Sequence, residues 1–170
     1  EEPDFLGEPR DWIERMGRHF FVSEHTHLGE SGSYSEVREI LPWLRLSASL
    51  DPHRVETYTL AAFWLRTKLE KPAEAELFLR EGLQANPRSP ELLFELGNIC
   101  AEQHHDTARA RNLWELALAR WREQEGGKQE PNKLLLLQIS SHLALLEESA
   151  GNFERALFFM QLWRGVSSSP

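Results

Sequence analysis

Cysteine is almost absent from this chain of 170 residues, in which Cys100 is the single thiol. One thiol cannot form an internal disulfide, and it excludes any zinc site built on several cysteines. Long apolar runs are also lacking. The longest, such as Leu134 to Leu137, fall far below the roughly 20 residues that a membrane-spanning helix needs. We therefore expect neither a disulfide framework nor a membrane span in this chain.

Basic residues are fewer than acidic ones. The 19 lysines and arginines against 27 aspartates and glutamates give a net charge of −8. Nucleic-acid backbones and anionic lipid surfaces are bound by clustered positive charge, so this composition disfavours both as partners. The chain begins at Glu1 without a methionine, and we expect a product processed or trimmed at its N-terminus. A cytoplasmic and an exported location both stay open.

Sequence signatures of catalysis are missing. The chain has no Gly-rich phosphate loop, no His-Glu-x-x-His and no Gly-x-Ser-x-Gly around a serine nucleophile. A free cysteine is commonly a small buried hydrophobe, which is our interpretation of Cys100. Carboxylate pairs such as Glu147-Glu148 are expected on solvated helix surfaces. We predict that the protein is not an enzyme and requires no cofactor.

Histidine pairs are the best candidates for metal ligands. His25 and His27 lie in a Gly/Ser-rich loop and supply two nitrogen ligands, whereas zinc sites need three or four protein ligands. His104 and His105 are neighbours in a predicted turn and cannot readily bind one ion, so we expect them to be solvated. We interpret all four as loop histidines and predict no metal site, and metal binding by His25 and His27 stays open.

A spacing of 35 residues organises the middle of the chain. The equivalent positions are Ile40, Ala75 and Ala110; Leu44, Leu79 and Trp114; and Pro52 and Pro87. Self-similarity at such a period indicates stacked helical hairpins and predicts an all-α fold. A last pair repeats the pattern after a longer loop, which places Ala156, Met160 and Trp163 inward. Trp43, Trp64 and Trp121 fall between core positions, and one or more of them could be exposed.

Polar stretches that contain Gly and Pro divide this pattern, which we interpret as one domain over residues 1–170. Its predicted parts are an irregular lead-in (1–10), a divergent first hairpin (11–50), two repeats (51–87 and 88–123), a loop (124–133), a third repeat (134–164) and a flexible tail (165–170). The predicted helix starts are Ser33 with Glu36, Asp51-Pro52, Lys71-Pro72, Ser89-Pro90 and Asp106. Pro42 predicts a kink, or a helix that restarts near Leu41.

The repeating residues resemble the tetratricopeptide repeat (TPR) family. Matching positions are Tyr58, Ala61-Ala62, Leu65, Ala75, Leu79, Gly82 and Pro87; then Leu93, Leu96-Gly97, Cys100, Ala110, Trp114 and Ala117; and finally Leu143-Ala144 with Gly151 to Ala156. The resemblance implies a right-handed α-α superhelix of about eight helices in four antiparallel hairpins. The small residues at the crossings would let paired helices approach closely.

In TPR proteins the first helix of each pair lines a concave groove. The groove positions carried onto this sequence are Thr59, Phe63, Arg66, Phe94, Asn98, Glu102, Ser141, His142 and Leu145. The resemblance implies apolar anchors at Phe63 and Phe94, and Asn98 as a partner for a peptide backbone. Glu91 and Glu95 join Glu102 in repelling an acidic ligand. We therefore predict a non-catalytic scaffold for a neutral or basic protein or peptide partner.

Other functions stay open. A self-associating structural subunit would use Phe158, Phe159 and Leu162 of the terminal helix against a twin chain. The segment Ala108 to Leu118 also resembles the half-a-TPR repeats of RNA-processing scaffolds. Pentatricopeptide repeats share the 35-residue period and read single-stranded RNA, but the net charge of −8 argues against that function. A metal-dependent enzyme or regulator built on the N-terminal histidine loop is a third alternative.

Overall fold

A computed structural model describes residues 34–167, with side chains described for residues 40–162. This part of the chain contains seven helices and no strand, so the prediction of an all-α fold is confirmed. The helices are α1 (Tyr34–Leu50), α2 (Val55–Thr67), α3 (Pro72–Ala85), α4 (Pro90–Glu102), α5 (Thr107–Glu125), α6 (Lys133–Ser149) and α7 (Phe153–Ser167). Several predictions lie outside the described residues: the lead-in (1–10), residues 11–33 of the divergent first hairpin, the His25 and His27 pair and the cap at Ser33.

Each helix packs against the next one along the chain, and α2 also packs against α4. The turns that close the hairpins repeat the sequence period. Glu70 and His105 both adopt a left-handed conformation with φ of 52°. In the first hairpin the Lys71 N–H donates to the Leu65 carbonyl at 2.8 Å, and 35 residues later the Asp106 N–H donates to the Cys100 carbonyl at 3.0 Å. The same backbone turn therefore reverses the chain twice.

Small residues allow close helix packing at two crossings. A Cβ atom added to Gly82 would lie 2.6 Å from Cγ of Tyr58, and one added to Gly97 would lie 2.5 Å from Cδ1 of Trp114. Real Cβ atoms do not come this close to a neighbour, so only glycine fits. The predicted role of small residues is confirmed at these positions. Cys100 is buried as predicted, and burial raises the pKa of its thiol.

Three of the predicted helix starts are confirmed. Pro72 lies in the first turn of α3, the Ser89 hydroxyl accepts from the Leu92 N–H at 3.3 Å, and the Asp106 carboxylate accepts from the Arg109 N–H at 2.9 Å. The cap predicted at Asp51-Pro52 does not form, because α2 begins at Val55 and Arg54 is the residue before it. There the Asp51 carboxylate accepts from the His53 N–H at 3.2 Å and closes a local turn.

Other boundaries shift as well. α1 runs through Pro42 without interruption, so the predicted restart near Leu41 is wrong. The predicted loop 124–133 is shorter, since α5 extends to Glu125 and the Asn132 side chain caps α6 by accepting from the Leu135 N–H. α7 continues to Ser167 and so extends into the segment predicted as a flexible tail (165–170).

The observed exposure of several side chains differs from the prediction. Met160 is exposed, and Phe159, predicted to face a twin chain, is buried. On α7 the inward positions are Ala156 and Phe159, three residues apart, so the residue after Phe159 turns to solvent. Glu147, predicted on a solvated surface, is fully buried because arginines of α5 and α7 surround its carboxylate. Of the three tryptophans left open, Trp43 is exposed and Trp121 is buried.

Candidate peptide-binding groove

An open groove runs across the first helices of the three hairpins, α2, α4 and α6. Two adjoining cavities, of about 590 Å³ and about 190 Å³, form it and share Thr59, Glu91 and Asn132 in their walls. We call this surface the α2–α4–α6 groove. The other lining residues are Val55, Glu56, Asn86, Pro87, Arg88, Ser89, Phe94, Glu95, Gln124, Leu134, Leu135 and Gln138.

An acidic stripe on α4 borders this groove. Glu91, Glu95, Asn98 and Glu102 follow at spacings of four, three and four residues, which places them on one face of the helix. The Ser89 hydroxyl donates to Glu91 Oε2 at 2.7 Å and holds this carboxylate at the start of the helix. Two carboxylates of the stripe, Glu91 and Glu95, line the groove, and Glu102 continues the stripe beyond its walls.

Arg66 of α2 is already paired with this stripe. Its NH1 atom lies 3.7 Å from Oε2 of Glu95 and 3.5 Å from Oε2 of Glu102, and its side chain is only 15% exposed. A guanidinium held between two carboxylates is neutralised before any ligand arrives. Arg66 is therefore poorly placed to capture an acidic group, and one negative charge of the stripe remains in excess even at this end.

Glu95 is a largely enclosed carboxylate, with a side chain that is 24% exposed. Burial raises its pKa above the ordinary value, and the nearby Arg66 guanidinium and a hydrogen bond with Asn98 oppose this effect in part. Loss of hydration disfavours the charged form of a carboxyl group. A bound cation would favour that charged form again, so Glu95 is poised to respond to a basic ligand.

The two predicted aromatic anchors differ in their exposure to solvent. The side chain of Phe63 is 46% exposed, and its ring meets Trp64 edge to face with centroids 5.7 Å apart. Phe94 is only 4% exposed and packs edge to face with the His142 ring at 5.0 Å. Phe63 therefore offers apolar surface to a ligand, whereas Phe94 forms the wall between α4 and α6.

The Asn98 side chain makes a hydrogen bond within the core instead of facing the groove. The Trp114 Nε1–H lies 3.2 Å from both the Asn98 side-chain oxygen and the Phe94 carbonyl oxygen, and it donates to both. The His142 ring covers the same indole at 5.1 Å. Asn98 is buried, so the oxygen expected to bond a peptide backbone is occupied by the core.

The remaining predicted residues do not form one continuous site. Thr59 lines both cavities of the groove, and Glu102 is an exposed partner of Arg66. Ser141 and Leu145 instead line a separate cavity of about 710 Å³ between α6 and α7. The reason is helical geometry: they lie on the face of α6 turned toward α7, while His142 turns toward α4.

Most of the lining residues were not predicted as groove positions, and Asn132 and Gln138 are two of them. Asn132 stands at the start of α6, and Gln138 lies one turn before His142, whose Nδ1 is 2.8 Å from the Gln138 carbonyl oxygen. The spacing of four residues between Gln138 and His142 is a sequence signal that places both on one helix face. Asn132 was assigned to a loop, so no helical spacing pointed to it.

Metal ligands are not gathered anywhere in residues 34–167: no three His, Cys, Asp or Glu side chains there are placed to share an ion. His104, expected to be solvated, has Nε2 at 2.9 Å from Oε2 of Glu76. Among the described helices, none has the length and apolar character needed to cross a bilayer.

Comparison with known proteins adds no relative. No protein-family model matches this sequence, and a search of curated proteins finds no match. The assignment of a function therefore depends on the residues and geometry of the groove.

Proposed function

We propose that this chain is a non-catalytic, TPR-like interaction scaffold with right-handed superhelical hairpins, which binds a neutral or basic peptide in the α2–α4–α6 groove. The supporting observation is the acidic stripe of α4, together with the pairing of Arg66 to Glu95 and Glu102. The family resemblance rests on the sequence pattern, and the repeated turns after α2 and α4 agree with it.

Charge gives the groove its preference. Glu56, Glu91 and Glu95 line it, and Arg88, the one arginine or lysine in its walls, reaches outward with a side chain that is 74% exposed. Potentials of opposite sign steer partners together and suppress partners of like charge. A peptide with lysine or arginine beside Glu91 and Glu95 would be attracted, whereas an acidic peptide would be repelled.

An apolar contact completes the recognition. Phe63 lies one helical turn beyond Thr59 on α2, outside the walls of the two cavities, and is 46% exposed. Aromatic side chains at the centre of an interface often contribute most of the binding energy. We expect the preferred ligand to place an apolar side chain on Phe63 and a basic one beside the stripe of α4.

The charge preference is tested with two fluorescent peptides that share their apolar residues and differ only in lysine against glutamate. Anisotropy titrations of the purified chain should give tighter binding of the lysine peptide, weakened by added salt. The double variant Glu91→Gln/Glu95→Gln should lose most of this preference. Its matched control is Glu130→Gln/Glu154→Gln, which makes the same change in net charge at exposed positions outside the groove.

The apolar contact has its own matched pair. Phe63→Ala should weaken binding of the lysine peptide about tenfold, which corresponds to about 1.4 kcal/mol. Leu77→Ala removes an exposed leucine from α3, which contributes no residue to the groove, and should leave binding unchanged. Equal binding of both peptides, or equal effects of the groove and control variants, would contradict the proposal.

A further inference from the structure

Two apolar surfaces outside the α2–α4–α6 groove have no partner within the described residues. The first is a stripe on α1, in which Ile40, Trp43, Leu46 and Leu50 are 38%, 71%, 48% and 77% exposed. Their spacing of three, three and four residues aligns them along one side of the helix. The other side of α1 packs on α2 through residues such as Ala48. We call the exposed side the α1 stripe.

The second surface is the cavity of about 710 Å³ between α6 and α7. Its apolar walls include Leu137, Leu145, Leu157 and Met160, which are 38%, 62%, 57% and 42% exposed. The other lining residues are Ser141, Ala144 and Gln161, so no ionisable side chain lines it. We call it the α6/α7 cleft.

The preceding hairpin shows what such a cleft accommodates. There α6 lies on α4 and α5, and the His142 ring contacts Phe94 of one helix and Trp114 of the other. In the repeat pattern, Ser141 and Met160 of the cleft occupy the positions of Phe94 and Trp114. The α6/α7 cleft is therefore the counterpart of a surface that is covered by a helix.

One substitution between the two hairpins specifies the chemistry of that helix. Leu157 stands where the preceding hairpin has Arg111, whose Nε lies 2.9 Å from Oε1 of Glu147 on the covering helix. Leucine cannot compensate a buried carboxylate, and burying an unpaired charge is costly. The helix that covers the α6/α7 cleft must present apolar residues, which the α1 stripe provides.

We infer that a second copy of this chain supplies that helix, with the α1 stripe of one molecule lying in the α6/α7 cleft of the next. Molecules with a net charge of −8 repel one another, but the residues that form the stripe and the cleft are uncharged. Burial of Trp43 and Leu50 would remove their large exposed apolar surface from water. The contact joins two different surfaces, so it propagates head to tail instead of closing a pair.

Sedimentation velocity of the whole chain tests this inference at increasing concentration. Wild type should form species that grow with concentration beyond the dimer. The stripe variant Trp43→Glu/Leu46→Glu and the cleft variant Leu145→Glu/Leu157→Glu should each be monomeric. An equimolar mixture of the two should give a 1:1 dimer and nothing larger, because each variant retains the surface that the other lacks.

Controls make the result specific. Leu77→Glu changes a leucine that is 70% exposed on α3 and should leave the assembly of wild type intact. Circular dichroism must show native helicity for every variant, and all substituted positions are exposed. A wild type that stays monomeric would overturn the inference. So would a mixture without a 1:1 dimer, or a stripe variant that still dimerises, since the last result means cleft-to-cleft pairing. None of these outcomes depends on peptide binding in the α2–α4–α6 groove.

Discussion

Arg111 Nε lies 2.9 Å from Oε1 of Glu147, a carboxylate with no exposure to solvent. The contact is an ion pair without the alignment of a hydrogen bond. Arg155 NH1 lies 3.2 Å from the same oxygen, and the Asn152 side-chain amide donates to Oε2 at 2.7 Å. One buried carboxylate thus joins α5, α6 and the beginning of α7, and its charge is compensated from both neighbours.

Replacement of Glu147 by Gln should destabilise the fold. It removes the counter-charge of Arg111, whereas Arg155 keeps its hydrogen bond to Glu115 at 2.6 Å. Removal of one partner of a buried ion pair costs about 3 kcal/mol. Urea unfolding followed by circular dichroism measures the change. Glu148→Gln is the matched control, since the next residue is exposed and should change stability by less than about 0.5 kcal/mol. Equal losses for the two variants would disprove this role of Glu147.

Gly97→Ala should destabilise the α4–α5 crossing by roughly 1–3 kcal/mol, because the added methyl group overlaps the Trp114 indole. Chemical denaturation gives the free energy of unfolding. Gly127→Ala is the control, since a Cβ atom there meets nothing within 4 Å.

The overlap at Gly97 also predicts non-additivity. In the double variant Gly97→Ala/Trp114→Leu, the methyl group no longer meets an indole ring, so the combined loss should be smaller than the sum of the two single losses. Residues in contact show such coupling, whereas independent sites add. Strict additivity would mean that the methyl group is accommodated without the indole moving.

Asp106→Ala should cost about 1 kcal/mol, because its carboxylate accepts from the Arg109 N–H at the start of α5. Asp51→Ala should cost less than about 0.5 kcal/mol, because Asp51 closes only an exposed local turn. Thermal unfolding of the two variants side by side measures the difference. A larger shift for Asp51 would mean that the helix cap predicted from the Asp51-Pro52 pair does form in solution.

The pair Asp51 and Asp106 also shows what sequence can predict. A capping residue accepts from the N–H groups that directly follow it, so the local sequence at Asp106 was sufficient to predict the start of α5. At the first site the chain does not begin its helix at Pro52, whose carbonyl accepts from the side-chain amide of Asn86 at 2.8 Å. A contact across 34 residues competes with the local signal, and no local pattern reports it.

The same distinction applies to the groove. The sequence pointed to Glu91, Glu95 and Glu102 as a group, and their spacing within one helix is enough to place them on one face of α4. It could not predict that Asn98 would be held by Trp114, or that Ser141 would face α7, because both depend on how neighbouring helices pack. Burial of Glu147 escaped prediction for the same reason: its partners come from α5 and α7.

The raised pKa of the Glu95 carboxyl leads to a prediction of how pH affects peptide binding. Burial raises its pKa above the ordinary value of 4.5, so its contribution to folding stability is present below that pH and is lost as pH rises through the raised pKa. A lysine bound beside Glu95 favours the charged form and therefore lowers that pKa. Affinity for the lysine peptide should consequently increase as pH rises through this window, which anisotropy titrations in buffers of constant ionic strength can follow.

Glu95→Gln removes the titrating group and should make affinity for the lysine peptide nearly independent of pH above the ordinary glutamate range. Glu130→Gln, at an exposed loop position, should keep the pH dependence of the wild type. Arg66, Glu102 and His142 act on the same carboxyl and remain in both variants, so the comparison isolates Glu95. A pH dependence that persists in Glu95→Gln would show that the peptide lies away from this carboxyl and does not occupy the acidic stripe.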